Sequence, residues 1–297
     1  VSVTDTAGGA ATTFTSTTGL LTVNGNFTVG AGAVFAHNSG SISFQSTAAT
    51  IDIQGASPEF NNVTFNATNN VVKTIASGDT VVANGTLSLT NGQIATGTVA
   101  ARGGTINYTA LDGGSGKLLL DAVGAQTWNA NSSPTSSDLP DVEINKPSGT
   151  VTFVGTAGGM SGNFRTTNDW TLTAGTISVP TTVTFIFARA GSTQVITGAQ
   201  TLGAVSIRGT GDKSIASGTV TVAGTLVLDD GTINTGTVTA QGAITQEASF
   251  DGGTGTLRIN GSGSPTFTGN ATVGGTANLP NVVIDKSGGT LLLSGTF

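Results

Sequence analysis

One stretch of this chain occurs twice, and the duplication limits the available folds more than any other feature. From Lys73 to Leu120 the sequence reads KTIASG, then GTLSLTNGQIATGTV, then LDGGSGKLLL. From Lys213 to Ile259 it reads KSIASG, then GTLVLDDGTINTGTV, then FDGGTGTLRI. Repetition of this kind is read before local propensity, because a stacked array buries its core between neighbouring repeats. The match extends outward. Val1–Gly9 (VSVTDTAGG) corresponds to Val151–Gly159 (VTFVGTAGG), and Leu139–Lys146 (LPDVEINK) to Leu279–Lys286 (LPNVVIDK). The chain therefore divides into two tandem units, 1–150 and 151–297.

A finer period lies inside each unit. The pattern apolar-x-x-Val-x-apolar recurs at Phe60–Phe65, Leu139–Ile144, Leu202–Ile207 and Leu279–Ile284. Between these marks the sequence alternates apolar and polar residues over three to five positions, as in Leu87-Ser-Leu89, Leu118–Leu120, Leu226-Val-Leu228 and Val282–Ile284. That is the period of short strands. Gly, Asn, Asp and Ser separate them, with Asn91-Gly92 and Asp230-Gly231 among the expected turns. No window carries a sustained helical period.

Two all-β architectures fit: a parallel β-helix (β-solenoid) with coils of about 20–25 residues, and tandem β-sandwiches. The hierarchical repeat, the low charge along the whole chain and the scarcity of long alternating hairpins favour the solenoid.

Composition narrows the function classes. Gly contributes 45 of 297 residues, only 9 % are charged, and the formal net charge is −6. The cations are scattered singly, whereas nucleic-acid binding requires them clustered. No apolar run reaches the roughly 20 residues of a transmembrane helix. The chain has no Cys, which removes disulfides, thiolate metal sites and Cys nucleophiles. Val1–Asp5 lacks the charged and apolar regions of a signal peptide, and there is no initiator Met. The expectation is a processed or excised piece of a longer, extracellular product.

The phrases LPNVVIDKSGGTLLLSGTF, VNGNFTVGAG and GTLVLDDGTINTGTV resemble the β-solenoid repeats of very large bacterial surface proteins, of the filamentous-haemagglutinin and autotransporter-passenger type, and of other repeat-rich envelope proteins. The resemblance covers nearly the whole chain. It implies a right-handed β-helix stalk, an extracellular location at the cell surface, and a structural or adhesive role. It transfers no functional residue.

The chemistry-bearing residues read mainly as architecture. Asp112-Gly-Gly and Asp251-Gly-Gly are equivalent in the two units. A grafted carboxylate pair for acid–base work would occur once, so duplication points to turns. Asp229-Asp230 aligns with Thr90-Asn91, again a turn. The calcium nonapeptide and the EF-hand loop are absent. His37, the one histidine, sits in a turn-like Ala-His-Asn-Ser-Gly. Trp128 aligns with Phe267 and Trp170 with Leu21, which is core filling more than a sugar-stacking face. The Thr219-Val-Thr221 and Thr237-Val-Thr239 pairs are too irregular for an ice-binding array. Sequons at Asn26, Asn62, Asn66, Asn84, Asn107, Asn131, Asn260 and Asn270 match the abundance of Asn and Thr.

The sequence thus predicts a non-enzymatic structural protein without catalytic residues, cofactor or metal. Neither end carries a polar cap. Val1, Val3, Leu291, Leu293 and Phe297 are the candidate assembly residues, through which copies would stack head to tail into a filament, stalk or layer. The alternatives are an adhesin segment binding surface glycans and a carbohydrate-active β-helix enzyme.

Overall fold

A computed structural model describes residues 1–5, 11–54, 59–133, 135–155, 162–273, 275 and 277–297. Parts of the first repeat match, 6–9 and 156–159, lie outside them. The described residues contain no helix. They make about 12 turns of parallel β-solenoid. All strand pairings below are parallel, which rules out sandwiches of antiparallel sheets.

Two compact units emerge: Val1–Thr152 with Ala174–Thr176, and Phe153–Thr173 with Ile177–Phe297.

Each unit is built on columns of side chains that repeat once per coil. In the first, Leu21, Ile42, Val63, Leu87, Ile106 and Trp128 stand in register on successive coils. Two residues further along the same strands, Val23, Phe44, Phe65, Leu89, Tyr108 and Ala130 form a second, fully buried column. Between them Thr22, Ser43, Thr64, Ser88, Asn107 and Asn129 make the outward row, where Asn129 Nδ2 donates to Asn107 Oδ1 at 3.1 Å. Period-two alternation thus produces an apolar wall and a polar ladder from one strand. The second unit repeats the design with Phe164, Phe185, Val205, Leu226, Ile244, Phe267 and Leu293. Coil length runs from 18 residues, Leu226 to Ile244, to 26, Phe267 to Leu293.

Aromatic rings thicken the core where coils begin each unit. Phe27 lies edge-on to Phe35, Phe44 and Phe60 at 5.3–5.9 Å. In the second unit Phe185 stacks on Phe164 at 5.3 Å and meets Trp170 edge-on at 5.2 Å. Phe14 stacks on Phe35 at 5.7 Å in a separate pair of strands, Thr13–Thr15 and Val34–Ala36. Both geometries are favoured aromatic packings.

The strands are longer than the sequence suggests. Asp141–Gly155 and Leu226–Ala240 each run 15 residues. Asn91-Gly92 and Asp230-Gly231, expected as turns between strands, lie inside strands Leu87–Ala95 and Leu226–Ala240. The strand bends around a coil corner without breaking, because Gly92 and Gly231 adopt φ of 88° and 73°. Pairing shifts by a residue at both corners, as at a β-bulge.

The duplicated Asp-Gly-Gly segments are corners of the same kind. Gly114 and Gly253 have φ of 112° and 109°. A Cβ on either would lie 2.0 or 2.3 Å from the carbonyl oxygen of Ile94 or Ile233 on the preceding coil. Both the left-handed backbone and the close coil approach demand glycine. Gly114→Ala or Gly253→Ala is expected to lower stability by roughly 2–6 kcal/mol, summing backbone strain and overpacking. Chemical denaturation measures this, and each variant should shift its midpoint well beyond that of Gly78→Ala, where the left-handed backbone faces open space.

Candidate functional site

Three of the acidic residues that the sequence offers for catalysis, Asp112, Asp229 and Asp230, have carboxylates engaged with the backbone or with arginine. Asp112 Oδ2 accepts the Asn70 amide at 2.7 Å and the Gly92 amide at 3.2 Å. Asp230 Oδ1 accepts the Gly231 amide at 2.8 Å, and its counterpart Asn91 does the same with Gly92 at 2.8 Å. Asp229 pairs with Arg208 at 2.6 Å. Asp251 forms a backbone bridge to Asn278, as Asp112 does to Asp138. His37 Nδ1 accepts the Ser39 amide at 2.9 Å, closing a turn in which Asn38 and Ser39 have positive φ. Among the described residues no three His, Cys, Asp or Glu side chains are placed to share a metal ion.

Trp128, Trp170 and Tyr108 are fully buried. They occupy core columns, and Trp170 Nε1 donates to Gln200 Oε1 at 2.9 Å. Thr219 and Thr221 stack on Thr237 and Thr239, but the next coil presents Thr256 and Arg258, so the double threonine row ends there.

The structure brings forward a set of residues that sequence reading passed over. Lys73, Lys146, Lys213 and Lys286 recur at intervals of 73, 67 and 73 residues. Each turns its ammonium into a coil corner and donates to backbone carbonyls. Lys73 Nζ binds the carbonyls of Gln45, at 2.9 Å, and Thr47. Lys146 Nζ binds Ala122 O at 2.7 Å and Gln126 Oε1 at 2.8 Å. Lys213 Nζ reaches Gly211 O at 2.6 Å, Arg189 O at 3.2 Å and Gly209 O at 3.4 Å. Lys286 Nζ binds Gly261 O at 2.5 Å and Gly263 O at 2.9 Å.

At these corners side-chain donors supplement backbone pairing: Thr166 O also accepts the Ala188 amide at 2.9 Å, and Arg189 O the Gly211 amide at 3.1 Å. Glutamine does the same work elsewhere. Gln126 Nε2 donates to Ala101 O and Gly103 O, and Gln194 Nε2 to Thr166 O and Asn168 O. Gln194 stands directly in register with Lys213, so the two residue types close neighbouring corners of one column. The regular spacing of the four lysines was the available signal.

Burial marks the cost of these clamps. Lys73, Lys146 and Lys213 are each at most 1 % exposed. Desolvation pushes all three below the ordinary lysine pKa, with Asp121 partly offsetting it at Lys146. At Lys213 desolvation dominates, Asp230 and Asp212 oppose it, Arg189 adds to it, and the value falls to about 8.

The candidate assembly residues fall into two groups. Val3 is buried and pairs with Val29, so it belongs to the core wall. Val1 is exposed, with its amino group donating to Asn26 O at 2.7 Å. Leu291 is half-buried, and Leu293 and Phe297 are exposed. With Phe267, Val282 and Ile284 they line an apolar cavity of about 160 Å³, and Phe297 lies edge-on to Phe267 at 4.8 Å. Val282 and Ile284 were not anticipated here.

No protein-family model matches the chain, and neither a curated protein nor a solved structure does so. The fold itself defines the class, a parallel β-solenoid repeat protein.

The clamps predict a pH signature. The folded pKa of Lys213 lies below its unfolded value, so between about pH 8 and 10.5 the unfolded chain binds more protons. The Lys213 contribution to stability is therefore flat below pH 8 and rises with pH across that window. Lys213→Gln should retain the fold, as the Gln194 clamp does, and remove this part of the rise. Lys213→Ala should cost about 1–3 kcal/mol at pH 7 by leaving carbonyls unpaired. Denaturation midpoints of both variants and the parent at pH 7.5 and 9.5 measure both effects.

Proposed function

We propose that this chain is a structural segment of an extracellular bacterial surface filament, stalk or layer, in which copies stack head to tail. The observation that carries the reading is the state of the 279–297 segment beside its own counterpart 140 residues earlier. Val142, Ile144 and Phe153 are at most 2 % exposed, whereas Val282, Ile284 and Leu293 are 39 %, 60 % and 58 % exposed. The sequence that buries the first set is solenoid sequence, and within the second unit Phe153 packs on Phe164 and Phe185 at 4.9 and 5.2 Å. A surface of this composition is therefore matched to another solenoid coil.

Apolar side chains near the start of the chain are exposed as well. Phe14 and Leu20 are 37 % and 58 % exposed. Contact between two different surfaces is heterologous and does not close, which is the geometry of a fibre. Parallel strand addition would satisfy the open backbone groups at the same time.

Sedimentation velocity and electron microscopy test the reading. The chain is expected to associate with rising concentration into linear particles with a regular axial repeat. Leu293→Asp, which puts a charge on the apolar surface, should weaken association at least about 30-fold. A chain that stays monomeric at high concentration would sink the proposal.

A further inference from the structure

One outer face of the first unit carries no charge. Its successive coils read SISFQ from Ser41, NVTFN from Asn62, TLSLT from Thr86, TINYT from Thr105 and TWNAN from Thr127. The second and fourth residues of each are the buried columns described above, so alternation turns the first, third and fifth outward. Every outward residue is Ser, Thr, Asn or Gln. The central ones, Ser43, Thr64, Ser88, Asn107 and Asn129, stand in unbroken register. The matching coils of the second unit read TFIFA, AVSIR, TLVLD, AITQE and TFTGN from Thr184, Ala204, Thr225, Ala243 and Thr266. They put Ile186, Val227, Arg208, Asp229 and Glu247 on the same face, so stacking of the coils does not require an uncharged polar exterior.

The side chains of this face brace one another. Gln45 Nε2 donates to Ser43 Oγ at 2.9 Å, Asn62 Nδ2 to Ser41 Oγ at 3.2 Å, and Asn129 Nδ2 to Asn107 Oδ1 at 3.1 Å. Ser43 is buried, and the other outward residues are half-buried or exposed. The bracing uses only part of their capacity, because an amide has two N–H donors and an acceptor oxygen, and a hydroxyl has a donor and two lone pairs. What remains is a grid of neutral donors and acceptors, spaced about 4.8 Å from coil to coil and about 6.8 Å along each strand. Side chains already held in place lose less freedom on binding.

We propose that this face binds an extended, neutral β-1,4-linked polysaccharide lying along the coil stack. No lysine or arginine stands on the face to pair with acidic sugars or phosphates. No apolar side chain larger than threonine is there to anchor a protein partner. A neutral glycan needs neither. Its hydroxyls both donate and accept, as the face does, and its C–H groups pack on the threonine methyls. An extended β-1,4-linked chain advances by nearly one sugar per coil, so each further coil adds contacts to the same chain and affinity grows with its length. Two sources share this chemistry, the plain glucan and its N-acetylated analogue. The inference does not depend on end-to-end assembly.

The test is a titration of the ¹⁵N-labelled full chain followed by NMR. The probes are cellohexaose and N-acetylchitohexaose, with cellobiose as the short control and maltohexaose as the α-linked, coiling one. Saturable shifts at the amides of Thr64, Ser88, Asn107 and Asn129 are expected with a hexasaccharide, and the tighter of the two identifies the source. Its binding should exceed that of cellobiose at least about tenfold and stay unchanged at raised salt, since no charge pairs are screened. Ser88→Lys, which puts a charge at the centre of the face, should weaken binding at least about tenfold. Thr245→Lys, on the same face of the second unit, should leave it unchanged. No saturable shift with either hexasaccharide, equal binding of cellobiose or maltohexaose, or full binding by Ser88→Lys would each overturn the proposal.

Discussion

Everything in this solenoid depends on closing its corners. Along each face the backbone of one coil hydrogen-bonds to the next, so the ladder takes care of itself. At a corner the chain changes direction, and the regular ladder no longer supplies every carbonyl with a partner. Such groups cost more unpaired than a typical hydrogen bond contributes. The protein answers with long side chains carrying several donors, lysine or glutamine, reaching from one coil to the corner of another. Aspartate and asparagine do the complementary job for corner amides, as Asp112 does for Asn70 and Gly92. Glycine then permits the close approach that brings these groups within reach.

A buried ammonium surrounded by neutral carbonyls is an unusual choice, since charge burial is expensive. Its compensation is distributed over two or three carbonyl dipoles and, at Lys213, the acidic neighbours Asp212 and Asp230. Gln194, in register with Lys213, achieves a similar closure without charge. Lysine adds a third donor and a longer reach, which suits a corner such as that of Gly209 and Gly211, where three carbonyls converge on Nζ. Four of the five lysines are therefore part of the fold. Arg102, Arg189, Arg208 and Arg258 are tied to aspartates.

The solenoid was legible in the sequence because its signals are local and repeated. Leu87-Ser-Leu89 gives the wall, Gly-rich corners give the coil ends, and the doubled segment gives the stacking. Strand length was misjudged because Asn91-Gly92 and Asp230-Gly231 look like breaks, and only the neighbouring coil shows that the ladder bends through them. The lysine clamps were invisible for a related reason. A lysine in isolation is read as a solvated surface residue, and its carbonyl partners lie up to 28 residues away in sequence. Val3 and Leu293 look alike as terminal apolar residues, yet Val3 is stacked on Val29 and buried while Leu293 is not. That difference comes from which side of a strand is already occupied, and no one-dimensional pattern holds it.

A repeat array also changes how a site should be sought. Each coil touches only its neighbours, so a local substitution alters one corner without propagating along the column. What both units share is then the cost of folding, and what only one unit has is free to serve another purpose. By that criterion the duplicated Asp-Gly-Gly corners, buried tryptophans and clamping lysines belong to the scaffold. The uncharged outer face of the first unit does not. The second unit stacks the same inward columns with Ile186, Arg208 and Asp229 on the outside, so folding leaves those outward positions free to vary. An array keeps its stability in the repeated positions and can place recognition chemistry at the position that departs from the repeat.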